Sequence, residues 1–309
     1  MKIVIVGPGA VGCLFAAFLT RTKEDVWLLD KDKENASKLN ESGIALEGVS
    51  GSWQIKVKVT VNISEIGKTD LILICVKSFN TKSAVEQIKP LLTENTKILT
   101  LQNGMGNIEV ISEIAGEERV IGGVTNEGAT LVDPGKIRHA GRGETIIGTP
   151  TGKIPVEMRA IREAFNKAGF ETKMTRDIKS LIWSKLIINV GINALSAITR
   201  LSNGKLTQFE GTKRILRDAV GEATRIAKRK RIKLPFDDPL AKVEAVCEST
   251  SVNLSSMLQD VLRKKRTEVD FINGVIVRFG QELGIEVPTN KFLLDLINTI
   301  ESSYKQTAG

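Results

Sequence analysis

The 309-residue sequence predicts an α/β protein of two domains. A Rossmann-type, doubly wound dinucleotide-binding domain is expected over residues 1–177, and an all-α substrate-binding domain over 178–309. Three observations predict this. A β-branched apolar run, a glycine-rich turn and an apolar helical stretch follow one another at the N-terminus, which is the order of a dinucleotide-binding βαβ unit. Further apolar strand runs recur between helical stretches as far as Thr175. From about Asp177 the strand signals stop and helical periodicity alone remains.

The first strand is Lys2-Ile3-Val4-Ile5-Val6, and Gly7-Pro8-Gly9-Ala10-Val11-Gly12 follows at once. Gly7 allows a tight turn, Gly9 lets the backbone approach a pyrophosphate, and Gly12 lets the next helix pack closely on the strand. That helix, from Cys13 to Leu19, offers free N–H groups and a positive dipole end to phosphates. A G-x-G-x-x-G run by itself is also a common structural turn. Here a strand precedes it, and an acid stands where the second strand, Asp25–Leu29, ends.

That acid, Asp30, would accept hydrogen bonds from the adenosine ribose and repel a 2′-phosphate, which favours NADH over NADPH. It could equally cap its own turn, and Lys31 next to it could pair with a phosphate. Residues 43–63 alternate in polarity between glycines and suggest inserted hairpin strands. Asp70–Val76 is a continuous apolar run, as expected of a strand buried on both faces. It ends in Lys77-Ser78, and the strand Lys97–Leu101 ends in Gln102-Asn103-Gly104-Met105-Gly106. Lys77 and Asn103 thus stand at the carboxyl ends of strands, where ligands of such sheets bind. A helix over 81–92 separates the two strands. Val120–Val124 is a further strand, and 128–149 holds two short antiparallel edge strands that carry His139. A helix over 156–168 and a strand over 171–175 complete the first domain.

Composition narrows the function classes. Hydrophobic residues make up 41% and charged residues 26%, the balance of a soluble globular chain. No apolar run is expected to reach membrane-spanning length. The N-terminus enters a strand directly, so no signal peptide is expected. Cys13, Cys75 and Cys247 are scattered, without metal spacing, and read as free thiols of a reducing compartment, the cytoplasm. His139 is the single histidine; no metal site is expected, and the residue reads as structural. The net charge of +8 invites a nucleic-acid reading. Its two densest runs, Lys228–Arg231 and Arg263–Arg266, close helical stretches without aromatic interleaving, and so read as solvated helix ends. Neither nucleic acid nor membrane is expected as a partner. A basic surface suits an anionic dinucleotide and a carboxylate substrate.

The second domain reads as helices over 178–198, 207–232, 236–262, 267–284 and 289–305. In the first of these, Lys185, Asn189 and Asn193 are spaced i, i+4, i+8 and fall within roughly 80° of one stripe. The rest of the stretch is almost wholly apolar. Three polar side chains there cost several kcal/mol unless they find partners. They either bond neighbouring backbone or line a polar site, and a cation beside two amides favours the site. A second candidate is Ser255-Ser256-Met257-Leu258-Gln259-Asp260 followed by Thr267-Glu268-Val269-Asp270. Thr267 with Asp270 resembles a capping box, so a helix is expected to start near 267. On one straight helix Ser256 and Glu268 would stand roughly 18 Å apart, and they can serve one small substrate only if the chain breaks near 263–266. Glu268 is otherwise explained as a first-turn acid.

These segments, together with Val76-Lys77-Ser78, Trp183-Ser184-Lys185, Asn203-Gly204 and Phe271-Ile272-Asn273-Gly274, resemble the ketopantoate reductase (2-dehydropantoate 2-reductase) family across both domains. The resemblance implies hydride transfer from NAD(P)H to the 2-keto carbon of 2-dehydropantoate, giving (R)-pantoate for pantothenate and coenzyme A. It places the family's catalytic lysine on Lys185 and its glutamate on Glu268, which holds the substrate hydroxyl. It places substrate contacts on Asn103, Asn189, Asn193, Asn203, Ser256 and Glu268. Coenzyme contacts fall on the residues of the glycine turn, on Lys77 and Asn103, and at Asp30 and Lys31. The family's usual coenzyme is NADPH, and Asp30 departs from that pattern. Two alternatives stand beside this reading: a reductase of the same architecture for another 2-keto or 3-hydroxy acid, and a non-catalytic NAD(P)-binding sensor. The last helices offer a surface for a possible homodimer.

Overall fold

A computed structural model describes residues 1–306. They form two compact units. One comprises Met1–Gln102 with Gly106–Ile178; the other comprises Asn103–Met105 with the chain from Lys179 on.

The first unit is built on an eight-stranded sheet. Its strands are β1 (Lys2–Val6), β2 (Asp25–Leu29), β5 (Lys58–Thr60), β6 (Leu71–Ile74), β7 (Lys97–Thr100), β8 (Val120–Thr125), β11 (Thr145–Gly148) and β12 (Thr172–Met174), in the order β12-β11-β8-β7-β6-β1-β2-β5. All neighbours are parallel except β8 and β11. The apolar runs alternate between two cores, as a period-2 strand buried on both faces must. Ile3, Ile5, Leu71 and Leu73 face one, and Val4, Val6, Ile72 and Ile74 the other. On the first face lie α1 (Ala10–Thr20) and α5 (Val156–Ala168), where Phe15 stacks on Phe170 with ring centroids 4.1 Å apart. On the second lie α3 (Thr81–Ile88) and α4 (Asn107–Ala115).

The inserted residues form a second, four-stranded sheet. It contains β3 (Ile44–Gly48), β4 (Trp53–Ile55), β9 (Gly128–Asp133) and β10 (Lys136–Gly141), ordered β4-β3-β10-β9. The hairpin strands expected in 43–63 are three: β3 and β4 lie outside the main sheet, and β5 is at its edge. Of the edge strands expected over 128–149, β9 is at the edge of its sheet as expected. β11 and the strand that carries His139, β10, are instead interior, each paired on both sides. His139 on β10 is therefore buried, 2% exposed. Its Nε2 lies 2.7 Å from Glu127 Oε2 and its Nδ1 lies 2.6 Å from Ser50 Oγ, with Phe18 packed edge-on against the ring.

The second unit consists of α6 (Ile178–Thr199, whose first residue clusters with the first unit), α7 (Glu210–Arg229), α8 (Pro239–Ser249), α9 (Ser256–Leu262), α10 (Asn273–Leu283) and α11 (Pro288–Ser303). The expected helix over 236–262 is two helices. Thr250 closes α8, and the Ser255 side chain caps α9 by accepting from Leu258 N at 3.0 Å. The helix expected from 207 begins at Glu210, after a 3-10 turn over Asn203–Thr207. The helix expected from 267 begins only at Asn273, because Val269–Phe271 forms a 3-10 turn and Ile272 leaves helical geometry (φ −114°, ψ −84°). The break expected near 263–266 is present: α9 ends at Leu262 and Lys264 is left-handed at φ 53°. Among the described residues one helix, α6, is long and apolar enough to cross a membrane, which corrects the expectation that no stretch reaches that length. Two thirds of its most apolar window, 67%, is buried within the protein, as in a core helix. Both basic runs lie at helix ends, where Lys230 reaches Glu282 (3.4 Å) and Arg266 reaches Asp270 (3.4 Å).

Candidate active site

The glycine turn is shaped by close approach. Gly7 has φ +99°, and a Cβ on Gly12 would stand 2.1 Å from Gly7 O, so neither position admits a side chain. At Gly9 a Cβ would meet nothing nearer than Cys75 O at 4.0 Å, which leaves its outer side open. No side chain caps the N-terminus of α1, and its first turn holds no acid. An open turn over an uncapped helix N-terminus fits the pyrophosphate of a dinucleotide. Cys13, just inside that helix, donates to Pro8 O (3.3 Å), and burial pushes its thiol up to about 12. Cys75 and Cys247 are likewise free thiols raised by burial.

At the end of β2, Asp30 is buried and already engaged. Its Oδ1 accepts from Lys31 N (2.7 Å) and Asp32 N (3.1 Å), and its Oδ2 accepts from Asn35 Nδ2 (2.6 Å). Lys31 is exposed.

A chain of hydrogen bonds that sequence reasoning missed ties the loop after β6 to the end of β7. Thr100 Oγ1 donates to Gln102 Oε1 (2.9 Å), and Gln102 Nε2 donates to Val76 O (2.8 Å) and Thr81 Oγ1 (2.8 Å). Thr81 Oγ1 donates in turn to Asn107 Oδ1 (2.8 Å), whose Nδ2 reaches Ser78 Oγ (3.2 Å). Lys77 lies between Val76 and Ser78, and Asn103 follows Gln102, so both expected coenzyme contacts adjoin members of this chain. The clue was present as Ser78, Thr100 and Gln102 at or just after the ends of two apolar strands, with Thr81 and Asn107 opening the helices after them.

In the helical unit, Lys185, Asn189 and Asn193 share the stripe of α6 that their spacing requires. Trp183 and Leu186 beside them are buried. Lys185 is partly buried, and desolvation brings its ammonium down to about 8, opposed by the charge of Glu268. Glu268 is itself buried, just before the 3-10 turn. The break after α9 therefore brings Glu268 within electrostatic reach of Lys185. Asn193 is buried, and Asn189 Nδ2 is a buried donor with no hydrogen-bond partner.

Asn203 is held by the 250–253 segment: its N donates to Asn253 O (3.0 Å) and its Nδ2 to Thr250 Oγ1 (2.9 Å). Its Oδ1 is a buried acceptor without a partner. An unpartnered buried polar atom costs about 1–3 kcal/mol, so a ligand group that paired with Asn189 Nδ2 or Asn203 Oδ1 would recover that cost. Ser256 opens α9 and is partly exposed. Met105 N donates to Phe271 O (3.0 Å), so the segment with Asn103 belongs with the unit that carries Glu268. Thr250 was hidden inside the helix expected over 236–262; the run Ser249-Thr250-Ser251 is a turn signal that could have revealed it. Among the described residues no group of three or more His, Cys, Asp or Glu could hold a metal.

Residues 3–152 match the family model described as ketopantoate reductase PanE/ApbA, and residues 177–301 match its C-terminal model. The chain belongs to the ketopantoate reductase family. It is 38% identical over 303 residues to the 2-dehydropantoate 2-reductase of Pyrococcus horikoshii, covering 98% of each chain. It is 33% identical to that of Halobacterium salinarum, over 96% of this chain and 98% of the other. Among solved structures it is similar to a PanE/ApbA family ketopantoate reductase from Ralstonia eutropha (TM-score 0.91, 35% identity, 99% and 100% covered). It is also similar to a D-mandelate dehydrogenase in ternary complex with NADH and anilino(oxo)acetate (TM-score 0.91, 25% identity, 99% and 100% covered). The family is one of oxidoreductases, and its fold is the α/β unit with a parallel sheet followed by helices that the sequence predicts.

Proposed function

We propose that the protein is a 2-dehydropantoate 2-reductase that reduces the 2-keto group to (R)-pantoate with NAD(P)H. The observation that supports this most directly is Lys185, an ammonium brought down to about 8 by burial on the stripe that carries Asn189 and Asn193. A proton donor works best when its pKa lies near the operating pH. When bound, the reduced nicotinamide supplies the hydride. Lys185 hydrogen-bonds the ketone oxygen and gives it a proton as that oxygen takes up negative charge. Asn189 Nδ2, a donor in want of an acceptor, takes a substrate oxygen, with Asn193 further along the same stripe. Asn203 Oδ1, an acceptor in want of a donor, takes the substrate hydroxyl together with Glu268, and Ser256 and Asn103 complete the contacts. Gly7, Pro8, Gly9, Ala10, Val11 and Gly12 hold the pyrophosphate, the β2 end with Asp30 and Lys31 lies at the adenosine end, and Lys77 and Asn103 contact the coenzyme. The product serves pantothenate and coenzyme A synthesis in the cytoplasm.

The test is coenzyme oxidation on adding 2-dehydropantoate, run in parallel with NADH and NADPH. Turnover with either supports the reading; coenzyme binding without turnover overturns it. The D-mandelate dehydrogenase likeness favours one second reading, a reductase for another 2-keto acid. D-Mandelate supplied with oxidised coenzyme separates the two.

A further inference from the structure

We infer that Asn35 sets the coenzyme preference by holding the Asp30 carboxylate away from the adenosine ribose. This rests on the dinucleotide-binding reading of the glycine turn. A carboxylate has about four lone-pair sites. In Asp30 three are taken: two by the backbone N–H groups of Lys31 and Asp32, and one by Asn35 Nδ2 at 2.6 Å. A ribose diol read by such an acid needs two acceptor sites, and one remains. Three donors also offset the negative charge that would otherwise repel a 2′-phosphate, while exposed Lys31 offers that phosphate a cation. The acid that favours NADH in the sequence is thus turned into part of its own loop.

Asn35 is built into this role. It lies in the first turn of α2 (Lys33–Ser42), whose cap is Asp32, and its own N–H donates to Asp32 Oδ1 at 3.2 Å. Its amide orientation follows from charge: Nδ2 faces the carboxylate, and Oδ1 is left buried without a partner. The backbone bonds to Oδ1 of Asp30 are fixed by the turn. The bond from Asn35 is the one a single side chain controls.

The experiment measures the dissociation constants of NADH and NADPH by titrating coenzyme fluorescence, without turnover. Wild type is compared with Asn35→Ala, Asn35→Leu and the double variant Asp30→Asn/Asn35→Ala. Releasing Asp30 Oδ2 should raise the NADPH-to-NADH ratio of dissociation constants about tenfold, the scale of one hydrogen bond to a charged group. Asn35→Leu keeps bulk and loses the donor, so it should shift the ratio equally, and the double variant should show no shift. An unchanged ratio in both single variants, or an equal shift in the double variant, overturns the role of Asn35. A wild-type protein that binds neither coenzyme overturns instead the dinucleotide-binding reading beneath it.

Discussion

Replacing Lys185 by Ala should cut turnover by about 10²–10⁴-fold, the usual contribution of a positioned general acid, while coenzyme affinity stays within about twofold, the scatter expected of a group that makes no contact with it. The pH profile makes the reasoning sharper. With its ammonium near 8, wild type carries the proton on roughly nine-tenths of molecules at pH 7 and roughly one-tenth at pH 9. The specificity constant for keto-acid reduction should therefore fall about tenfold per pH unit above 8. A lysine at its ordinary value would still be almost fully charged at pH 9. Lys185→Arg, which keeps its charge, should remove the fall whatever activity it retains.

Stability moves the other way. The folded-state value is lowered, so between about 8 and 10.5 the unfolded chain holds a proton the folded protein has released, and stability rises with pH across that window. The gap between 10.5 and about 8, at about 1.4 kcal/mol per pH unit, sets a ceiling of about 3.5 kcal/mol. Urea unfolding at pH 8 and pH 10, in wild type and Lys185→Ala, measures it. A specificity constant that stays level through pH 9 in wild type would refute both the buried ammonium and its role as acid.

Three further outcomes are expected. Asn189→Leu removes a buried donor that has no partner, so its stability to unfolding should hold or rise, by up to about 1 kcal/mol, while KM for the keto acid rises at least tenfold; a fall in stability with unchanged KM would count against a substrate contact. Thr81→Val breaks the chain from Gln102 to Asn107 and should weaken coenzyme binding severalfold by titration at a stability cost of about 1–2 kcal/mol, with Thr81→Ser restoring both. Gly12→Ala puts a methyl 2.1 Å from Gly7 O and should abolish coenzyme binding, which equilibrium dialysis of the soluble protein would show.

The parallel sheet was legible because its strands are short apolar runs buried on both faces, so that Ile3 and Val4, Leu71 and Ile72 are all hydrophobic. The stripe of α6 was legible because three polar residues at helical spacing stand out in an apolar helix. The break between Ser256 and Glu268 could be argued from distance alone. What could not be read depends on partners far apart in sequence. Nothing local tells that β3 pairs with β10 rather than with the main sheet, or that Thr250 leaves its helix to hold Asn203. The engagement of Asp30 by Asn35 is local, yet it is a matter of rotamer, and residue types alone leave both uses of the acid open. The two unpartnered amide atoms at Asn189 and Asn203 are visible only once every neighbour is in place.

The sole histidine gives this molecule a built-in observer. Both imidazole nitrogens of His139 are engaged, by Glu127 on β9's approach and by Ser50 in the β3–β4 turn. Its ring resonances should appear as one well-separated set in an NMR spectrum, with slow solvent exchange at the bonded N–H. Loss of that single signal while the rest of the spectrum stays dispersed would report the opening of the four-stranded sheet, with no isotope scheme or engineered probe required.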